Sequence, residues 1–176
     1  MEQHGMQTAV SSCVEAEASA PGFRDAMAAL GAAVSVITTD GPAGRHGITA
    51  TAVCSLSDQP ASLLVCVNRS SRMHQVLARN GVFAVNVLAA GQEDISRLFA
   101  NPARDMAERF DLAGDLVETS VHAPGLAAAQ ITVACAVTMM IEASTHSIVM
   151  GEVRQIVGGQ GQGALIYYKR DYHALR

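Results

Sequence analysis

Residues 131–143 read ITVACAVTMMIEA. Ile131, Val133, Cys135, Val137, Met139 and Ile141 fall on one face at a period of two, with the threonines and Glu142 on the other, so the segment reads as a long half-buried strand. The same reading extends to its neighbours. HSIVMGEVRQIV (146–157) and ALIYYKRDY (164–172) continue as strands, with the flexible, glycine-rich GGQGQG between them. Upstream, AAVSVITT (32–39), GITATAVCSLSDQP (47–60), ASLLVCVN (61–68) and GVFAVNVL (81–88) add four more, each bounded by turn residues. ASLLVCVN is apolar without interruption, as expected of a strand covered on both sides.

Helical spacing is confined to short pieces. Phe23, Ala26, Met27 and Leu30 share a face in FRDAMAAL; Met73, Val76 and Leu77 do so after NRSS; Ile95, Leu98 and Phe99 do so in QEDISRLFA. Residues 101–125 read as loop with a little helix around Ala107. Six or seven strands with short helices between them predict a mainly β protein: an antiparallel, closed or nearly closed barrel with a few flanking helices.

A chain of 176 residues suits one domain with a single core. We expect it to span 23–176, with 1–22 as a mobile, weakly acidic tail. Hydrophobic residues make up 49% and charged ones 16%, so polar cover is thin and some apolar surface is expected to lie between subunits. The net charge of −4, with no basic block, argues against nucleic-acid partners. The longest apolar run, Leu126–Ala143, is broken by Gln130, Thr132 and Thr138 and ends in Glu142, so membrane insertion is not expected. Cys13, Cys54, Cys66 and Cys135 lack metal-ligand spacing, and three of them sit in apolar runs. They read as buried free thiols in a reducing cytoplasm.

Three stretches carry candidate chemistry. In 47–60, small residues stand where a core strand would carry larger ones, leaving a flat wall with the hydroxyls of Thr49, Thr51 and Ser55, suited to a planar heterocycle or to close packing of another element. In NRSSRMHQVLARNG (68–81), Ser70 or Ser71 can cap a helix flanked by Arg69 and Arg72, which reads as an anion site or as ordinary capping with solvated arginines. His146 begins a strand at a sheet end, either a projecting functional group or a loop histidine. GGQGQGA matches G-x-G-x-x-A but precedes a strand near the C-terminus, so it is not a dinucleotide-binding turn; it reads as a hairpin loop. No histidine spacing suggests a metal site.

Taken together, residues 23–71, GVFAVNVLAAGQEDISRLFA, THSIVMGEV and GALIYYKRDYHAL resemble the flavin reductases of two-component aromatic monooxygenases, of the 4-hydroxyphenylacetate 3-monooxygenase type. The resemblance implies a split-barrel homodimer that reduces FMN or FAD with NADH or NADPH and hands the reduced flavin to a separate oxygenase. It implies a flavin wall at Thr49, Ala50, Thr51, Ala52, Val53 and Cys54, with Ser55 at its end. It implies a phosphate-contacting turn at Asn68, Ser70 and Ser71, and places His146 near the two reacting rings. Ser144-Thr145 stands where many of that family carry Gly-Asp. An FMN-dependent oxidase of the same fold, or a non-catalytic flavin- or haem-binding module, would use the same wall and anion site.

Overall fold

The computed structural model describes residues 18–176; most of the expected tail, with His4 and Cys13, lies outside the described residues. The elements are α1 (Ala20–Ala28), β1 (Ala32–Ala33), β2 (Ser35–Thr39), β3 (His46–Ala50), β4 (Val53–Asp58), β5 (Ala61–Asn68), α2 (Arg72–Asn80), β6 (Val82–Val87), α3 (Glu93–Ala100), α4 (Met106–Leu112), β7 (Leu116–Val117), β8 (Gly125–Leu126), β9 (Ile131–Ala143), β10 (His146–Gly158), β11 (Ala164–Tyr168) and β12 (Asp171–Leu175).

Seven strands form one antiparallel sheet in the order β3-β2-β6-β9-β10-β5-β4, and β1-β11-β12 form a smaller one. The stretch expected as one strand at 47–60 is two, β3 and β4, and they occupy opposite edges of the large sheet. Only Thr51 and Ala52 join them, so the two edges must meet at that corner, and the sheet curls into a split barrel. Val53 N–H donates back to the Thr51 carbonyl at 3.0 Å, which makes the corner tight.

Two cores result. Inside the curl lie Ile37, Val65, Val67, Met73, Leu77, Phe83, Val85, Cys135 and Val149. Between the outer surface of β2 and β6, the small sheet, α3 and α4 lies a second core of Val34, Val36, Leu88, Phe99, Phe110, Leu126 and Leu165. The expected strand at 32–39 is broken at Val34, where the chain passes from the small sheet to the large one; Val34 bonds Leu165 and Leu88 across the junction at 2.9 Å each. The expected strand at 164–172 is likewise a hairpin, β11-β12, turning at Lys169 and Arg170 with φ of 49° and 65°. GGQGQG is not a hairpin loop either. It crosses between the sheets, and a Cβ on Gly159 would lie 1.8 Å from the Ala129 carbonyl oxygen, so close backbone approach sets the glycine there.

The alternation expected along β9 holds only to Val137. Thr138 is unopposed between the pairs Gly151–Val137 and Met150–Met139, a bulge that reverses the facing of the residues after it. Met140 therefore packs on the inner core while Met139 and Ile141 turn outward, 53% and 41% exposed. Nor is the opposite face polar cover: Thr132 and Ala134 are buried.

Candidate functional site

Small side chains at the β3–β4 corner let other elements come close. A Cβ on Gly47 would sit 2.7 Å from the Phe99 ring, so α3 rests directly on β3. Thr49 fixes that packing by donating its hydroxyl to the Ser96 carbonyl at 2.6 Å. The Ser96 hydroxyl lies 2.8 Å from Tyr172 OH, and Tyr172 meets Tyr167 edge-on with ring centroids 5.1 Å apart. Around this chain of contacts opens a cleft of about 320 Å³, lined by Thr49, Ala50 and Thr51 on one side and by Tyr167 and Tyr172 on the other. Sequence spacing carries no sign of the tyrosine wall, because its two residues belong to a different sheet. Of the expected wall, Thr49, Ala50 and Thr51 line this cleft, and the Thr49 hydroxyl already donates to Ser96.

The remaining expected wall residues diverge. Ala52 sits at the corner and its carbonyl accepts the Cys66 N–H at 3.1 Å. Val53 packs against the inner core. Cys54 pairs with Leu64 on the outer face of the sheet and is exposed, as is Ser55. Cys54 is thus not the buried thiol expected, since β4 is an edge strand. Cys135 is buried, and that burial pushes its thiol up to about 12, so it stays protonated and inert.

The 68–71 turn is built largely from its own side chains. Asn68 Oδ1 accepts from the Ser70 N–H at 2.9 Å and the Ser70 hydroxyl at 2.8 Å. The Ser71 hydroxyl donates to the Asn68 carbonyl at 2.6 Å and accepts the His74 N–H, capping α2. Arg69 is engaged at the surface: it pairs with Glu142 at 2.7 Å and donates to the Ser144 carbonyl, clamping the β9–β10 hairpin. Arg72 makes no ion pair among the described residues.

His146 stands directly across from Asn68 in the β5–β10 pair. Its Nδ1 lies 2.9 Å from the Thr145 hydroxyl, so Thr145 orients the ring and the imidazole projects at the surface. The corner and His146 flank β5, two strand spacings or about 10 Å apart across one end of the sheet.

A second cleft, of about 460 Å³, lies beyond β3 and shares Ala100 with the first. Its lining includes Arg45, His46, Ser71, Arg72, Arg104 and Arg109. His146 lines neither cleft. Burial, then Arg109 and Arg72, lower the His46 imidazole to about 4, so it is neutral near pH 7 in a positive field. An aromatic-walled slot beside a cationic one fits a planar ring carrying a phosphate. No helix among the described residues is long and apolar enough to cross a membrane.

Comparison with known proteins bears on what this pair of clefts serves. The chain is 47% identical over 154 residues to the FMN reductase (NADH) RutF of Pseudomonas syringae pv. syringae, covering 87% of this chain and 85% of that protein. It is similar in structure to BorF, the flavin reductase component of a bacterial two-component tryptophan halogenase, with a TM-score of 0.82, 30% identity and coverage of 89% and 98%. It is similar too to the Streptomyces globisporus NADH:FAD oxidoreductase SgcE6 in complex with NAD and FAD fragments, with a TM-score of 0.81, 30% identity and coverage of 92% and 98%. The flavin reductase like domain model matches residues 27–176, and the chain belongs to that family.

Proposed function

We propose that this chain reduces FMN, or FAD, with NADH and releases the reduced flavin to a separate monooxygenase component. The observation that carries the reading is the cleft between the Thr49–Thr51 wall and the Tyr167–Tyr172 pair, set in a fold of the flavin reductase family. Relatives named as NADH-dependent FMN reductases support FMN and NADH as the pair used. The naming of BorF as a reductase component supports a diffusible product and a separate consumer. An aromatic, phenol-type substrate for that consumer rests on the sequence resemblance alone. Work in the cytoplasm rests on the cysteine pattern of the sequence alone.

A bound flavin accepts hydride from the nicotinamide within the ring pair itself, so the protein must hold and orient two rings rather than supply a nucleophile. The chain's residues divide that task. Thr49 and Ser96 hold β3 against α3; Ala50 and Thr51 keep one wall flat; Tyr167 and Tyr172 bound the other side. Residues 68–71 present capped backbone toward the phosphate end, and His146, oriented by Thr145, stands at the sheet end as the group near the nicotinamide. Exposure of Thr51 and Ala52 fits a flavin that must leave after each turnover.

The exposed outer face of the large sheet supports a homodimer. Cys54, Leu64, Met150 and Met139 align across β4, β5, β10 and β9, and Cys66, Ile148 and Ile141 form the next row. We also place the domain at 23–176, although α1 already begins at Ala20.

The test is NADH oxidation by the purified chain with and without added free FMN. Turnover that requires added flavin supports the reading; a tightly held flavin with no NADH turnover overturns it. Thr51→Leu narrows the cleft and is expected to weaken FMN binding about tenfold by flavin-fluorescence titration, and unchanged affinity would remove the wall from the site.

A further inference from the structure

Two hydroxyls meet in the lining of the ring cleft, and between them they carry one hydrogen more than their contact uses. Ser96 Oγ on α3 lies 2.8 Å from Tyr172 OH on β12, and among the described residues neither oxygen has another hydrogen-bond partner. One contact takes one of the two O–H hydrogens, so the other points elsewhere. Burial decides which. Ser96 is fully buried, so a serine hydrogen turned away from the tyrosine would be stranded where no water reaches it. Tyr172 is only half-buried and lines the cleft. Ser96 therefore donates to the phenol oxygen, and the phenol keeps its own O–H for what enters the cleft.

That phenol is held from three directions. Its oxygen is anchored by Ser96, its ring meets Tyr167 edge-on, and the Arg97 guanidinium, itself paired with Asp94 at 3.1 Å, stands over the ring face 5.1 Å from the centroid. A donor fixed before its ligand arrives loses little freedom on binding. Across the cleft, Thr49 has no hydrogen to offer, because its hydroxyl already donates to the Ser96 carbonyl.

We propose that Tyr172 is a ring-contacting donor, its phenol O–H bonding an amide-type carbonyl oxygen of the bound ring, with Ser96 as the positioning residue behind it. The inference rests on the flavin-reductase reading and deepens it. A flat wall of small residues limits how far a ring tilts but lets it slide and turn in its own plane; one directed hydrogen bond removes that freedom. Two ligands carry the required oxygen: the pyrimidine ring of the flavin and the carboxamide of the nicotinamide.

The experiment compares wild type, Tyr172→Phe, Ser96→Ala and, as a control, Tyr168→Phe, which removes a phenol that lines neither cleft. FMN is titrated by fluorescence without NADH, and KM for NADH and kcat are measured in turnover. If the phenol bonds the flavin, Tyr172→Phe weakens FMN binding about three- to tenfold and leaves KM for NADH unchanged. If it bonds the nicotinamide, KM for NADH rises by a similar factor while FMN binding holds. Ser96→Ala, which leaves the phenol unanchored, moves the same constant in the same direction by a smaller factor. Each titration is repeated with thiocarbonyl analogues, thio-NADH and both 2-thio- and 4-thio-FMN, because sulfur accepts hydrogen bonds poorly. The ratio of natural ligand to analogue is taken within one protein, so a change in stability cancels from it. That ratio must shrink in Tyr172→Phe for the affected ligand. Constants equal to those of wild type, or a loss undiminished with every analogue, overturn the proposal. Should wild type fail to oxidise NADH, the functional reading falls by itself. The proposal then stands only if Tyr172→Phe weakens binding of FMN or NADH, each read by its own fluorescence.

Discussion

Asn86 on β6 is fully buried and uses both ends of its amide. Its Nδ2 donates to the Val36 carbonyl at 3.0 Å and to the Thr38 hydroxyl at 3.1 Å, while Oδ1 accepts from the Leu126 N–H and the Thr132 hydroxyl at 2.8 Å each. This one side chain ties β2, β8 and β9 together behind the inner core, and every partner would lose a bond without it. Asn86→Ala is therefore expected to cost about 2–4 kcal/mol, read as a lower urea midpoint. An effect below about 1 kcal/mol would mean that water replaces the amide. His46 makes a pH-dependent prediction. Its folded value of about 4 lies below the ordinary 6.5, so between those values the unfolded chain binds a proton that the folded chain does not. Stability contributed by the neutral imidazole is complete above about 6.5 and is lost as pH falls toward 4. Urea midpoints at pH 7 and pH 5 should differ more in wild type than in His46→Gln; equal differences would acquit the imidazole. At the candidate nicotinamide end, His146→Ala should lower kcat at least about tenfold and leave the melting temperature within about 2 °C, because the ring is exposed and bonded only to its neighbour. Full activity in that variant would remove His146 from the site.

Where most of the extended segments run was legible from period and turn residues, and β5, α2 and α3 lie where the sequence places them, but the divisions of 32–39, 47–60 and 164–172 and the short β7–β8 pair were not. The illegible features depend on events that leave no local mark. The bulge at Thr138 turns Met139 and Ile141 outward although the hydrophobic alternation runs on unchanged, since both faces of that strand are apolar. The break at Val34 and the corner at Thr51-Ala52 are sheet changes, and β-branched and small residues do not announce them. For the candidate site, Thr49 to Thr51 and the Ser71-capped turn were readable because each is contiguous, whereas Ala52 to Ser55 lie outside the cleft. The tyrosine wall and the rest of the arginine-lined cleft were not: Arg72 stands beside the capped turn in the sequence, but Tyr167, Tyr172, His46 and Arg109 come from separate elements that only the fold brings to their clefts. Close packing between elements also predicts which glycines matter. A Cβ on Gly151 of β10 would meet the Phe83 ring at 2.6 Å and Cys135 Cβ at 2.8 Å, both held in the inner core, whereas Gly158 on the same strand faces open space. Gly151→Ala should destabilise by about 1–3 kcal/mol, and Gly158→Ala should stay within about 0.5 kcal/mol of wild type. Similar midpoints for the two variants would show that the Phe83 ring can swing aside.

A sheet curled on itself has an inside and an outside, and this one is apolar on both along β4, β5, β10 and the second half of β9. Inside, Val65, Val67 and Val149 close the core. Outside, the aligned rows of Cys54, Leu64, Met150 and Met139, then Cys66, Ile148 and Ile141, carry no charge, and Cys54, Met139 and Ile141 are exposed. Helix α1 shows the same lack of cover: the face expected to pack inward leaves Phe23 65% and Leu30 64% exposed, and no residue of the helix is buried. Contiguous apolar patches of this kind are rare on monomers and usual at subunit contacts. The proposed dimer is symmetric, so each substitution on the sheet face enters the interface twice. Met139→Asp combined with Ile141→Asp places four carboxylates in one contact, and light scattering should then report the mass of one chain where wild type reports two. The folded protomer should survive, since both side chains already face outward and neither fills a core. Position adds a functional consequence: Ile141 pairs with Ile148, two residues along β10 from His146, so loosening the contact frees the sheet end that the turnover proposal depends on. The variant should therefore lose NADH oxidation along with its partner, while its urea midpoint, compared at low protein concentration, changes little. A wild type that scatters as a monomer, or a variant that stays dimeric, would place the contact elsewhere.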